Sequence, residues 1–259
     1  MENKLDQLFE KKQSDILNIY FTAGYPKLED TGNIILELEK AGADLIEIGM
    51  PYSDPMADGP TIQESGQVAL DNGMNLKLLF DQINSIKGKT KTPLICMGYL
   101  NQVMQFGENK FIQKCKEAGV DGLILPDLPL DVYESDYKDL FEKNNIKICF
   151  LITPQTSDER IKEIDRLSSG FIYVVADSSI TGNAKGISAQ QINYFERINT
   201  MNLTSKKLIG FGISDAQSFN KACQYANGAI IGSAFIRALG NQKAQLESNI
   251  SNFVESIIG

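Results

Sequence analysis

Histidine is absent from all 259 residues, so proton transfer near neutral pH would fall to carboxylates rather than to imidazole. The four cysteines, Cys96, Cys115, Cys149 and Cys223, lie far apart and form no CxxC pair. With no histidine to join them, no structural zinc site is expected. Cys96 and Cys149 fall inside apolar runs and read as small core residues. No apolar stretch approaches the ~20 residues of a membrane-spanning helix. The first fifteen residues, MENKLDQLFEKKQSD, hold no apolar targeting core and are not an Arg-rich transit peptide. Positive charge is also short: 25 Lys and Arg against 33 Asp and Glu leave a net charge of -8. That balance argues against binding a phosphate backbone or an anionic membrane. A cytoplasmic enzyme or binding protein fits these absences. One absence is local, since no Lys or Arg occurs between Lys40 and Lys77. Three carboxylates, Glu47, Asp54 and Asp58, sit in that gap beside Pro51, Pro55 and Pro60.

What is present is repetition. Eight β-rich apolar runs occur at 16–24, 44–50, 92–99, 121–127, 146–152, 171–176, 206–212 and 228–234. Amphipathic stretches with apolar residues at i, i+3 and i+4 separate them, for example NIILELEKAG and DERIKEIDRLS. Near-continuous apolar strands imply a sheet covered on both faces, as in parallel α/β folds. The stretch EKAGADLIEI (39–48) echoes KEAGVDGLIL (116–125), each helix closing on Ala-Gly before the next strand. In that echo Glu47 stands where Ile124 is found. Eight β/α units in about 250 residues are the size of a TIM (βα)8 barrel. A doubly wound open sheet is the alternative. No linker or low-complexity stretch divides the chain, so one domain over 1–259 is expected. LDQLFEKK near the start reads as an extra N-terminal helix capping the barrel's bottom.

Barrel enzymes draw catalytic groups from the C-terminal ends of strands and the loops beyond. Alternation puts Leu45, Glu47 and Gly49 on one strand face. A carboxylate buried there either finds a hydrogen-bond partner as a structural residue or has a raised pKa, suited to acid–base work. Asp54 and Asp58 lie in the following loop, where Asp beside Pro or Gly is also a common turn residue. A long loop at the active face is more often functional. Glycines mark three late strand ends, 178–188, 209–214 and 231–235. Exposed backbone N–H groups there could hold a phosphate without any cation. Tyr173 would face the barrel mouth as an acid or hydrogen-bond donor, or else be a core aromatic with a satisfied hydroxyl.

The run Glu47–Gln63, EIGMPYSDPMADGPTIQ, resembles the signature of the tryptophan synthase alpha chain family. The resemblance continues in order through FTAGYP (21–26), MGYLN (97–101), PDLP (126–129), Thr181-Gly182, GFGIS (210–214) and GSA (232–234). It implies an eight-stranded barrel that cleaves indole-3-glycerol phosphate to indole and glyceraldehyde 3-phosphate, a retro-aldol lyase reaction without metal or organic cofactor. By the resemblance, Glu47 moves the protons and Asp58 accepts the indole N–H and steadies the developing positive charge. Tyr173 joins them at the mouth. Phe21 and Leu100 would line the indole pocket, Gly182, Gly212, Gly232 and Ser233 would hold the phosphate, and Phe211 would also touch substrate. Thr181 would close a lid onto Asp58, although Asp177 and Ser179 depart from that family's usual Arg and Gly. The resemblance also implies a pyridoxal-phosphate beta chain partner in an αββα assembly, the cofactor belonging to the partner. The 51–60 loop and Tyr99–Asn101 would face that partner. A stand-alone indole-releasing lyase and a non-catalytic activator of a beta chain are the alternatives. Intact Glu47, Asp58 and Thr181 argue against the latter. Another phosphate-binding barrel enzyme, such as an isomerase with Glu47 as base, would leave the long match at 47–63 unexplained.

Overall fold

A computed structural model describes residues 2–176, 188–210, 212–240 and 245–259. Eight strands form a closed barrel in the order β1 to β8, every neighbouring pair parallel and β8 returning to β1. They are β1 (Ile16–Thr22), β2 (Leu45–Gly49), β3 (Leu94–Met97), β4 (Gly122–Ile124), β5 (Lys147–Ile152), β6 (Phe171–Val175), β7 (Lys206–Gly210) and β8 (Gly228–Ile231). Each lies within one of the eight apolar runs, and in all but β5, which reaches the end of its run at Ile152, the strand stops short of that end. The residues left over build the loops at the mouth. β4 is the shortest, and Pro126, which has no N–H to donate, lies two residues past its end.

Two apolar clusters separate the inside of the barrel from its jacket. Ile16, Tyr20, Leu45, Ile95, Ile124, Cys149, Phe171, Tyr173, Leu208 and Ile230 form the inner one. Leu17, Ile19, Phe21, Ile46, Ile48, Cys96 and Leu123 pack outward under the helices. Strict alternation along each strand produces this sorting. It also explains why strand hydrophobicity shows no alternation, since both faces are buried.

Helix α1 (Lys4–Lys11) plugs the bottom, with Leu5 and Phe9 in the inner cluster. Phe9 meets Phe171 edge-on with centroids 6.3 Å apart. Two such side chains withdrawn from water contribute about 1.5–3 kcal/mol each. Asn3 caps α1 by accepting the Leu5 N–H, and its amide donates to the carbonyls of Asp121 and Asn145. This ties the plug to the barrel floor.

The internal echo has a structural counterpart. Helices α2 (Thr31–Ala41) and the later Glu108–Ala118 both end on a left-handed glycine, Gly42 at φ 103° and Gly119 at φ 87°. Asp44 and Asp121 follow, and each carboxylate accepts a backbone N–H of the preceding strand, Leu17 at 2.8 Å and Leu94 at 2.9 Å. Ile124 then faces the lumen, as Glu47 does in the other copy.

Candidate active site

Glu47 lies on the inner face of β2 and is 1% exposed. It is in register with Tyr20 of β1. Asn18 Nδ2 donates to its Oε2 at 3.0 Å. Burial raises the Glu47 pKa from 4.5 to about 8, the Asn18 hydrogen bond opposes that rise, and the negative charge of Asp58 adds to it. Glu47 is thus mostly protonated at neutral pH and gives up its proton just above it.

Beyond Gly49 the chain enters a loop that ends at Gly59, the N-cap of α3 (Pro60–Asp71), with Pro60 as the first helical residue. The loop is held by the segment after β3, which follows α4 (Leu76–Ser85) and leads into α5 (Leu100–Phe106). Gln102 donates to the Pro51 carbonyl at 2.9 Å, and Asn101 donates to the Tyr52 hydroxyl at 2.8 Å. The rings of Tyr52 and Tyr99 stack with centroids 5.1 Å apart. The Tyr99 hydroxyl accepts the Ala57 N–H at 2.9 Å and donates to Asp58 Oδ2 at 3.1 Å. Asp127 holds the start of α5 by accepting the Leu100 N–H at 2.9 Å. So the 47–63, 97–101 and 126–129 motifs, far apart in sequence, lock one loop.

The purpose of the lock is the position of Asp58. Burial raises its pKa from 3.8 to about 6 and the Tyr99 hydrogen bond restrains the rise. Near pH 7 one carboxyl therefore carries a proton and the other does not. Among the described residues no cation enters the balance of either group.

Two tyrosines complete the mouth. Tyr20 on β1 and Tyr173 on β6 are buried, and both feel the charges of Glu47 and Asp58. Burial, reinforced by those charges, pushes both phenols well above their ordinary value. They keep their protons and act as neutral donors. Each leans over a glycine two positions beyond its register partner, Tyr20 over Gly49 and Tyr173 over Gly210. A Cβ on either glycine would collide with the tyrosine hydroxyl.

Several expected residues fall here and several do not. Glu47, Asp58 and Tyr173 come together. Gly212, at φ 78°, follows β7, while Gly232 caps and Ser233 opens the helix after β8. Phe21 is corrected: its parity on β1 sends the ring outward into the jacket cluster, and Tyr20 occupies the inward place. Leu100 is corrected likewise. It opens α5 and packs against the jacket, whereas Met97, at the end of β3, packs on the inner cluster. Thr181, Gly182 and Phe211, with Asp177 and Ser179, lie outside the described residues. Sequence reasoning missed Asn18, Tyr20, Met97 and the grip of Tyr99 on Asp58. Asn18 interrupts an apolar strand at the same parity as Tyr20, which puts the two on one face without saying whether that face turns inward.

Fold and site together define a (βα)8-barrel protein with two carboxyls of raised pKa, Glu47 and Asp58, at the C-terminal mouth. The model of the family described as tryptophan synthase alpha chain matches residues 6–257. The tryptophan synthase alpha chain of Flavobacterium psychrophilum is 54% identical over 255 residues, covering 98% of this chain and 100% of its own. Among solved structures, tryptophan synthase subunit alpha from Legionella pneumophila gives a TM-score of 0.89 at 29% identity, covering 99% of this chain and 97% of that one. A tryptophan synthase complex from Pyrococcus furiosus gives 0.86 at 32% identity, covering 96% and 99%. The chain belongs to the tryptophan synthase alpha chain family.

Proposed function

We propose that Glu47 and Asp58 carry out the retro-aldol cleavage of indole-3-glycerol phosphate to indole and glyceraldehyde 3-phosphate. Membership of the family makes this chain a carbon–carbon lyase. The observation that carries the residue assignment is the difference in proton affinity between two neighbouring carboxyls, about 8 for Glu47 and about 6 for Asp58. Pairs held apart in this way take opposite roles in acid–base chemistry. Protonated Glu47 delivers its proton to the indole ring carbon that bears the glycerol chain. The adjacent hydroxyl returns a proton to Glu47 as the carbon–carbon bond breaks and the aldehyde forms. Its bonding electron pair goes to the ring, neutralising the cation made by protonation. Asp58, ionised, accepts the indole N–H and stabilises that cation while it lasts, a fixed charge aimed where charge develops. Tyr173, as a neutral donor, orients substrate between them. Gly212, Gly232 and Ser233 supply the phosphate end, and Thr181, Gly182 and Phe211 belong to the same reading. No cofactor enters these steps; pyridoxal phosphate would belong to a beta chain.

An αββα assembly with that beta chain is the corresponding reading for the surface. Tyr52, Asp54, Met56, Ala57, Tyr99, Pro126 and Asp127 line an open cleft of about 280 Å³ beside the mouth, and Met56 is 81% exposed. Asp54, with no part in the chemistry, would act at this surface. No helix among the described residues is long and apolar enough to cross a membrane, and a cytoplasmic location is part of the same proposal.

Indole release from indole-3-glycerol phosphate, with and without a beta chain, tests the assignment. Glu47→Gln should lose at least about a hundredfold in kcat, the lower range of general acid–base contributions. Near wild-type turnover by that variant would remove Glu47 from the chemistry.

A further inference from the structure

We infer that Asn18 is a positioning residue that holds the Glu47 carboxyl in place and serves both of its protonation states; the inference rests on the acid–base role proposed for Glu47. Both side chains sit in the barrel lumen, Asn18 at 0% and Glu47 at 1% exposure. Asn18 Nδ2 donates to Glu47 Oε2 at 3.0 Å. The other end of the amide, Oδ1, is buried and has no hydrogen-bond partner among the described residues. An amide kept for packing alone gains nothing from one orphaned acceptor, because an apolar side chain of that shape would avoid its desolvation cost.

Chemistry supplies a use for both ends. A carboxyl that gives up a proton and takes one back passes through a charged and a neutral form in each turnover. The charged form needs a donor, which Nδ2 provides. The neutral form carries an O–H and needs an acceptor, which Oδ1 provides once the amide turns over about its last torsion. The surroundings offer little competition. Among the described residues, the titratable groups that act on or feel Glu47 are Tyr20 on β1, Cys149 on β5, Tyr173 on β6 and Asp58 on the loop, none of them a cation. Asn18 is the hydrogen bond that favours the ionised form of Glu47.

The test replaces Asn18 with Val and, separately, with Asp, and follows indole release against pH. In parallel, ¹³C NMR titrates the Glu47 carboxyl. Asn18→Val should move the alkaline limb of kcat/KM and the Glu47 titration upward together, by about one pH unit, the worth of a hydrogen bond to a charged group. It should lower kcat about tenfold with KM changed less than about twofold, and leave the melting temperature unchanged or raised. Asn18→Asp, which sets a second carboxyl beside Glu47, should move the titration further up. A Glu47 titration unmoved in either folded variant would overturn the inference, as would full kcat in Asn18→Val with only stability altered. If Glu47→Gln retains turnover, the acid–base role fails. The NMR titration still decides whether Asn18 controls the carboxyl.

Discussion

Glu47→Gln should make the protein more stable as it makes it inactive, and the gain should depend on pH in a calculable way. The folded carboxyl binds its proton up to about pH 8, whereas its ordinary value is 4.5. Between those values the folded state holds more protons than the unfolded chain, so wild-type stability falls as pH rises through that window and levels off above it. Each pH unit of the difference is worth about 1.4 kcal/mol. Integrating gives a penalty of about 1 kcal/mol at pH 5, about 3 kcal/mol at pH 7 and about 4 kcal/mol at pH 8. Glutamine has nearly the same shape, still accepts from Asn18 and does not titrate. Its own unpartnered N–H groups impose a cost that does not vary with pH and cancels from the comparison. The stability of the variant minus that of wild type should therefore grow by about 3 kcal/mol from pH 5 to pH 8. Asp58, whose pKa burial also raises, contributes a fall of the same sense in both proteins. Urea unfolding at three pH values measures the difference through the midpoint at constant slope. Parallel stability curves would show that Glu47 is not held protonated by burial, and the basis for its role as an acid would go with them.

Turnover should follow a bell in pH, since the reaction needs Asp58 ionised and Glu47 protonated. kcat/KM should decline below about 6 and above about 8, and a profile flat from pH 5 to 9 would contradict the division of roles. Tyr99→Phe takes the donor from Asp58 and the acceptor from the Ala57 N–H. Its acid limb should move up by about one pH unit while the alkaline limb stays nearly in place, as a pH–rate series would show. Gly49→Ala places a methyl where the Tyr20 hydroxyl lies; an overpacking cost of about 1–3 kcal/mol should appear in thermal melts, together with a raised KM for substrate.

The barrel was largely legible because its signals are local. Each apolar run is followed by an amphipathic stretch, and the Ala-Gly helix ends repeat with an aspartate two residues on, at Asp44 and at Asp121. The α1 plug was legible for the same reason. Glu47 was legible as a carboxylate where the internal repeat has Ile124. What local pattern could not show was parity on β1. In a strand buried on both faces, Tyr20 and Phe21 look alike, and only closure of the sheet, with Tyr20 opposite Glu47, sends one inward and the other under the helices. Leu100 and Met97 were confused in the same way, by a helix start that only the fold locates.

By itself the sequence determined which groups were available for the chemistry. With no histidine anywhere and no lysine or arginine between Lys40 and Lys77, it offered carboxyls for proton transfer and kept cations out of their own stretch of chain. The tertiary structure alone decided how strongly each would hold its proton. Glu47 is sealed among barrel side chains, with Asn18 donating to it. Asp58 sits on a loop locked by Tyr99, and desolvation acts on it less fully. The same functional group is thereby poised at about 8 in one place and about 6 in the other, because dielectric and hydrogen bonding depend on what the fold brings within a few ångströms.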